Sequence, residues 1–173
     1  NFSMIEYFNT IARDWQPELA FRGSTREDFE QWHERAYAKY MELLGEFPEP
    51  VDLDAEVVCC VEEDGIIRER VVFDAEEHMS VPCVVLRPVD MIEDGANPAI
   101  LCSHGHGAFG KEPVAGNKTT PELRANIAAN NYNYGEQMAR AGSLTISPDL
   151  RVFGERDDGG NPYPGRDQCN VHF

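Results

Sequence analysis

The sequence predicts an α/β fold: two helices, then an antiparallel hairpin, then strands that alternate with helices. Three patterns support this prediction. Apolar residues recur at helical spacing over residues 4–43 and at a spacing of two over residues 56–75, and short strand-like runs separated by helical segments follow from residue 80. Antiparallel strands followed by strand–helix–strand alternation favour one mixed sheet with helices on its faces.

Residues 1–50 are predicted to form an N-terminal helical domain. Its second helix should begin at Ser24 or Thr25, whose hydroxyl can accept from a free N–H group of the first turn, and should end before Gly45 and Pro48. The apolar stripes of both helices are expected to be packing faces. Their members are Met4, Phe8, Ile11 and Trp15 in the first helix, and Phe29, Trp32, Ala36, Tyr40 and Leu43 in the second.

Residues 51–173 are predicted to form the sheet domain. Asp64 and Gly65 make a two-residue turn between strands at residues 56–63 and 66–75, so these strands should form a hairpin. The remaining expected elements are strands at residues 81–87, 99–103 and 143–147, helices beginning at Pro121 and Tyr134, and a long surface loop after Asp149.

Composition predicts a globular domain with an acidic surface. The 173 residues are 42% hydrophobic and 27% charged, which is ordinary for a chain with a buried core. Fifteen lysine and arginine residues against 31 aspartate and glutamate residues give a net charge of −16 at pH 7. Because such a field repels phosphate backbones and anionic lipids, we expect neither nucleic acid nor a membrane as partner.

The lack of a recognisable targeting signal and the use of cysteine predict a cytoplasmic, reducing location. No apolar run is long enough to cross a bilayer, and the N-terminus lacks the basic and apolar regions of a signal peptide. The chain does not begin with Met, so a removed leader stays open as the alternative. The five cysteines, Cys59, Cys60, Cys83, Cys102 and Cys169, are expected to be small buried hydrophobic residues rather than metal ligands.

A glycine-rich turn directly after the fourth strand carries the functional prediction. Its sequence from His104 to Lys111 is His-Gly-His-Gly-Ala-Phe-Gly-Lys. This segment fits both a dinucleotide fingerprint and a phosphate-binding loop. Neither is favoured, because Pro113 disrupts the helix that would receive a pyrophosphate, and Glu112 stands where a serine or threonine would hold Mg²⁺.

Two other chemistries fit the same turn. His104 and His106 form an H-x-H pair that can ligate zinc, although no third ligand is close in sequence. A strand-to-loop His-Gly-x-Gly can also direct backbone N–H groups at a developing oxyanion, since glycine lets the chain approach a carbonyl without a Cβ clash. We favour the oxyanion turn and keep a metal-dependent hydrolase using His104 and His106 as an alternative.

Four segments together resemble α/β-hydrolases of the dienelactone-hydrolase and acetyl-xylan-esterase type. They are residues 80–88 (Ser-Val-Pro-Cys-Val-Val-Leu-Arg-Pro), 104–107 (His-Gly-His-Gly), 134–142 (Tyr-Gly-Glu-Gln-Met-Ala-Arg-Ala-Gly) and 147–156 (Ser-Pro-Asp-Leu-Arg-Val-Phe-Gly-Glu-Arg). The resemblance covers residues 56–156, and the N-terminal helices resemble accessory helices of some members. It implies an α/β-hydrolase-like sheet, an antiparallel N-terminal hairpin followed by parallel strands, with the C-terminal half absent.

The resemblance also implies roles for residues of the turn. The backbone N–H of His106 would be an oxyanion donor, with Gly107 supporting the oxyanion loop. Structural roles are implied for His104, Gly105 and Asp149. Arg151 is expected to form an ion pair with Asp149 or Glu155, and substrate binding by Arg151 is the weaker alternative.

By this resemblance the chain would be a fragment of a serine-type carboxylic ester hydrolase: an esterase, deacetylase or lactone hydrolase that needs no cofactor. No Gly-x-Ser-x-Gly occurs in the chain, so the catalytic triad is unassigned. A non-catalytic hydrolase-like binding or assembly module is the alternative function. The expected partners are a small ester substrate and, at the open edge of the sheet, the missing C-terminal half or a second copy.

Overall fold

A computed structural model describes residues 2–92 and 97–157, in which the chain forms two compact units, 1–48 and 49–173. Within these described ranges, no helix has the length and apolar character that crossing a bilayer requires.

The first unit contains two helices, α1 (Met4–Asp14) and α2 (Arg26–Leu44). Thr25 caps α2 by accepting from the Asp28 N–H at 3.1 Å, while the Asp28 side chain accepts from the Thr25 N–H at 3.0 Å. This reciprocal capping box selects Thr25 over Ser24 as the helix start. The helix ends at Gly45, whose φ of +80° is accessible to glycine.

The apolar stripes of these helices are less covered than the sequence predicts. No residue of α1 or α2 is buried. Trp32 is half-buried, with its ring beside those of Phe21 and Phe29 and its Nε1–H donating to the Leu19 carbonyl at 2.7 Å. Two helices in a unit of 48 residues have too little chain to enclose large side chains, so the expected packing faces remain largely exposed.

The second unit is a five-stranded mixed sheet with helices, which confirms the predicted α/β fold class. Its strands are β1 (Glu56–Glu63), β2 (Ile66–Glu76), β3 (Met79–Pro88), β4 (Ala99–Leu101) and β5 (Leu144–Pro148), in the order β1-β2-β3-β5-β4. Strands β1, β2, β3 and β5 pair antiparallel, whereas β4 and β5 pair parallel. The helices are α3 (Pro121–Asn130) and α4 (Tyr134–Arg140), followed by a 3₁₀ turn, Gly154–Arg156.

The predicted hairpin turn is present between β1 and β2. Asp64 and Gly65 have φ of +51° and +76°, the left-handed pair that a tight two-residue turn requires. Beyond the turn, Ile66 packs into a small core with Val84 and Leu86. Ala115 and Ala139 complete this core, so α4 and the segment after the glycine-rich turn cover the same region of the sheet.

Two sequence expectations need correction here. Cys83 and Cys102 are buried as expected, but Cys59 and Cys60 are exposed, because all eight residues of β1 are exposed at the edge of the sheet. Cys169 lies outside the described residues. The expected loop after Asp149 contains the 3₁₀ turn, and its part beyond residue 157 also lies outside the described residues.

Candidate functional site

The two turns that carry the motifs of residues 104–107 and 147–156 lie at the same edge of the sheet. Strands β4 and β5 run parallel as neighbours, with Leu101 opposite Ile146. The pairing continues one step further, because the Cys102 N–H donates to the Ile146 carbonyl at 2.8 Å. The segment beginning at His104 leaves β4 and the segment beginning at Asp149 leaves β5, so both emerge at the carboxyl ends of parallel strands, where sites in such sheets form.

His104 is buried and both of its ring nitrogens are engaged. The Leu150 N–H donates to His104 Nε2 at 3.0 Å, so Nε2 must be the acceptor nitrogen. The proton therefore lies on Nδ1, which is 2.8 Å from the Gly105 carbonyl and donates to it. Because neither nitrogen is free, this geometry supports a structural role for His104 and opposes its use as a metal ligand.

The His104 bond also sets the direction of the His106 amide. The Gly105 carbonyl and the His106 N–H belong to one planar trans peptide group, so they point in opposite directions. Once His104 holds the carbonyl, the N–H is directed away from the His104 ring. Among the residues that the structure describes, the N–H groups of His106 and Gly107 donate to no acceptor.

The His106 side chain is exposed at the turn, and its ring packs edge-on against Phe153, with centroids 5.4 Å apart. The same Phe153 ring meets His104 at 5.3 Å and is itself buried. This aromatic contact ties the turn after β4 to the turn after β5. No cluster of three or more His, Cys, Asp or Glu side chains that could hold a metal ion exists within residues 2–92 and 97–157.

A buried ion pair closes the other end of the glycine-rich turn. Lys111 Nζ lies 2.6 Å from an oxygen of Asp149, and both side chains are almost completely buried. The other Asp149 oxygen accepts from the Lys111 backbone N–H at 2.8 Å. Burial lowers the pKa of Lys111, but hydrogen bonds to Asp149 and Glu155 outweigh it and raise that pKa above its ordinary value.

The backbone at residues 110 and 154 lies so close to the Asp149 carboxylate that only glycine fits at these two positions. Gly110 and Gly154 have φ of +51° and +58°, and a Cβ on either would collide with the Asp149 carboxylate. The Glu155 N–H also donates to that carboxylate, at 3.0 Å. The sequence predicts a structural role for Asp149, and these contacts support one. The involvement of Lys111 was missed, because Asp149 lies 38 residues away and no local pattern identifies it as the partner.

Arg151 has a different partner from the one expected. Its guanidinium forms an ion pair with Glu76 on β2, not with Asp149 or Glu155. Asp149 and Glu155 are instead occupied by Lys111. Arg151 itself is exposed, so its guanidinium lies at the surface beside the turn.

Two tyrosines to which the sequence analysis gave no role at the site contact the start of the turn. The Gly105 N–H donates to the Tyr132 hydroxyl, and the Tyr134 hydroxyl donates to the Ser103 carbonyl. Both tyrosines follow α3, 27 and 31 residues from their partners. The short motif Asn-Tyr-Asn-Tyr at residues 131–134 is the only local signal for them.

A well-formed cavity of about 450 Å³ lies elsewhere on the second unit. It contains no residue of the segment 104–111, and ion pairs dominate its lining. Arg70 pairs with Glu112 at 2.9 Å, and Glu136 pairs with Lys118 at 2.9 Å and Arg140 at 3.0 Å. Since these charges are matched within the protein, the glycine-rich turn is the better candidate site.

Comparisons with known proteins agree with this fold. The Abhydrolase family matches residues 2–160. A solved structure of a candidate acetyl xylan esterase from Bacteroides fragilis NCTC 9343 is similar with a TM-score of 0.69 at 21% identity, covering 91% of this chain and 40% of that one. Acetyl xylan esterase from Paenibacillus sp. R4 is similar with a TM-score of 0.44 at 21% identity, covering 91% of this chain and 41% of that one. No curated protein matches. The chain spans about two fifths of the length of these structures.

Proposed function

The chain belongs to the Abhydrolase family, and from this premise we propose that it supplies the oxyanion turn of a serine-type carboxylic ester hydrolase. A hydrolase of esterase-like fold is what the family and the structural neighbours support together. One observation carries the finer proposal. The amides of His106 and Gly107 donate to no acceptor among the described residues, and the peptide group of His106 is held in one orientation by His104.

The proposed chemistry is acyl transfer from a small ester. A serine hydroxyl attacks the ester carbonyl, and the carbonyl oxygen becomes negatively charged in the tetrahedral intermediate. Backbone N–H groups at His106 and Gly107, held in place before the reaction, stabilise that charge as it develops. The nucleophile and its base are not assigned to residues of this chain, and no metal or other cofactor is required for these steps.

We further propose acetylated sugars or lactones as the substrate class. The first structural neighbour is described as a candidate acetyl xylan esterase, and small acyl esters suit an exposed turn whose donors are backbone groups. The acidic net charge of −16 favours neutral over anionic substrates. We also propose a cytoplasmic location and no nucleic-acid or membrane partner. At the open edge of the sheet, we propose that a C-terminal segment or a second copy of the chain binds.

Gly107→Val tests the position of the reacting carbonyl. A Cβ on Gly107 would meet nothing within 4 Å, and Gly107 does not have a left-handed φ, so the fold should tolerate the change. We place the reacting carbonyl in the open space beside Gly107, and a valine side chain would exclude it from that space. We expect ester turnover to fall by about tenfold or more, while the free energy of unfolding stays within about 0.5 kcal/mol of wild type.

The matched control is Ala128→Val, which adds a comparable side chain on the exposed side of α3. It should leave turnover unchanged and cost about 0.5 kcal/mol of stability, because valine has a lower helix propensity than alanine. Labelling with a fluorophosphonate, followed by mass spectrometry of the intact chain, tests for a reactive serine. A 173-residue species that takes no label and hydrolyses no ester would contradict catalysis by this chain and favour the non-catalytic module.

A specific observation keeps that second function in view. Among residues 2–92 and 97–157, no serine hydroxyl forms a hydrogen bond with His104 or His106, and His104 is fully engaged elsewhere. A binding or assembly module would need no such pair. The labelling experiment separates the two functions directly.

A further inference from the structure

We propose that Tyr132 is a positioning residue of the oxyanion turn and acts through the Gly105 amide; this inference rests on the proposed function. The Tyr132 hydroxyl oxygen accepts the hydrogen bond that the Gly105 N–H donates. Gly105 directly precedes His106, the first of the two proposed oxyanion donors. Tyr132 therefore binds the amide N–H immediately before those of His106 and Gly107, the proposed donors.

The backbone conformation at the C-terminal end of α3 positions Tyr132 beside the turn. Asn131 follows the helix with φ of +49° and ψ of 45°, a left-handed conformation that asparagine tolerates better than most residues. The Tyr132 N–H then donates back to the Ile127 carbonyl at 3.3 Å, which fixes this residue against the last turn of the helix. Its ring also lies edge-on to the Tyr134 ring, with centroids 6.0 Å apart.

Gly105 needs such restraint more than its neighbours do. A glycine has no Cβ and explores a wide range of φ and ψ, so an unrestrained Gly105 would let the His106 amide rotate. Tyr132 holds the N–H of Gly105, and His104 holds its carbonyl. The peptide groups on both sides of Gly105 are thus fixed, although Gly105 itself is exposed.

The contact also explains why residue 105 is glycine. A Cβ at this position would lie 2.8 Å from the Tyr132 hydroxyl oxygen, closer than non-bonded atoms approach. Gly105 and Tyr132 therefore complement each other. The absence of a Cβ at residue 105 leaves room for the tyrosine hydroxyl, and the hydrogen bond to that hydroxyl restrains a backbone that glycine alone would leave free to rotate. Because oxyanion stabilisation depends on donors fixed before the reaction, removing the hydroxyl should affect the chemical step.

The first experiment compares Tyr132→Phe with Tyr40→Phe, a hydroxyl deletion on the exposed surface of α2. Amide exchange with water is measured by nuclear magnetic resonance on the ¹⁵N-labelled 173-residue chain. We expect the Gly105 amide to exchange about tenfold faster in Tyr132→Phe and at the wild-type rate in Tyr40→Phe. The amide resonances of His106 and Gly107 should move only in Tyr132→Phe. An unchanged Gly105 exchange rate in Tyr132→Phe overturns the proposal.

A double-mutant cycle of Gly105→Ala and Tyr132→Phe provides a second test. Gly105→Ala should lower the urea midpoint in the wild-type background, because its Cβ displaces the tyrosine hydroxyl. In the Tyr132→Phe background the same change should lower the midpoint by about half as much or less, since the colliding oxygen is gone. Equal lowering in both backgrounds would mean that the two residues are not coupled, and would overturn the proposal.

Steady-state kinetics on the substrate ester distinguish positioning from binding. In Tyr132→Phe we expect kcat to fall about tenfold with KM unchanged, because the donors act on the transition state. A raised KM with unchanged kcat would make Tyr132 a substrate-binding residue and overturn the positioning role. If wild type itself turns over no ester, catalysis by this chain is contradicted, while the exchange and cycle measurements still decide whether Tyr132 positions the turn.

Discussion

Asp149 is the single residue on which the geometry of the candidate site depends most. Its carboxylate accepts from the backbone N–H and the ammonium group of Lys111 and from the Glu155 N–H. A buried charge is tolerated only when it is paired and hydrogen-bonded, and here both conditions are met. The carboxylate also joins the turn after β4 to the turn after β5, so local electrostatics hold the two halves of the site together.

Asp149→Asn should therefore be strongly destabilising. The amide preserves the shape of the side chain but leaves the buried Lys111 ammonium facing a neutral group. The carboxylates of Glu155, which is 57% exposed, and of Glu112, at 3.6 Å, remain as its counter-charges. We expect a loss of about 3 kcal/mol in the free energy of unfolding, measured by urea denaturation. Lys39→Met, which breaks an exposed ion pair with Glu42, should cost about 0.5 kcal/mol or less. A similar cost for both variants would contradict this argument.

At the scale of elements, α4 is held by the charged contacts of Glu136 together with the burial of Ala139 in the core. The helix has only seven residues, and its Asn133 cap makes no side-chain hydrogen bond to the backbone of the first turn. Glu136 compensates: it accepts from Asn133 at 2.8 Å and pairs with Lys118 and Arg140. Its side chain is 5% exposed, so these interactions are shielded from water. This short helix is thus stabilised by side-chain interactions within it and by the contact with Lys118, in addition to its own backbone hydrogen bonds.

The acid sensitivity of the second unit should follow Glu136. Burial raises the pKa of Glu136, but hydrogen bonds from Asn133, Lys118 and Arg140 outweigh it and lower the pKa from 4.5 to about 2. A lowered folded-state pKa contributes stability that is present above about pH 4.5 and is lost as the pH falls towards 2. We expect Glu136→Gln to reduce the free energy of unfolding by about 2–3 kcal/mol at pH 7, an order-of-magnitude figure, and to flatten its decline below pH 4.5.

Denaturation at pH 7 and between pH 4.5 and 2 measures both effects. Glu34→Gln is the matched control, because it removes an identical charge from the exposed surface of α2. It should leave the free energy of unfolding and its pH dependence close to those of wild type. An acid profile of Glu136→Gln parallel to that of wild type would show that other carboxylates control acid unfolding.

Elements and contacts differ in how well the sequence predicts them. Thr25 and the Asp64-Gly65 turn act on backbone within a few residues, so a local pattern suffices to place the helix start and the hairpin. The turn at His104 is likewise predicted by a local pattern, its closely spaced glycines. Contacts of Lys111 and Tyr132 join residues 38 and 27 positions apart, and nothing in a local pattern specifies such partners. The turn was predictable, whereas Lys111 and Tyr132, two of the side chains that hold it, were not.

At the scale of the whole molecule, charge and sheet edges act together. β1 is fully exposed at one edge, and a strand with unpaired backbone groups invites pairing with another chain. Glutamates at positions 56, 62 and 63 and a register shift between Val57 and Cys59 oppose such pairing. β4 forms the other edge, where Leu101 is 68% exposed and has no comparable charge beside it on the strand. We therefore propose β4 as the edge at which a further strand would pair.

The same acidity should make stability depend on salt. Acidic residues outnumber basic ones 31 to 15, so repulsion among like charges exceeds the gain from exposed ion pairs, each worth about 1 kcal/mol or less. Screening shortens the reach of that repulsion, from about 30 Å at 0.01 M salt to about 10 Å at 0.1 M. We therefore expect the thermal unfolding midpoint at pH 7 to rise as NaCl increases across this range. At a pH near the isoelectric point of 4.6 the rise should vanish or reverse, since the net charge is then close to zero. A midpoint that falls with salt at pH 7 would show that attractive pairs dominate the surface despite their smaller number.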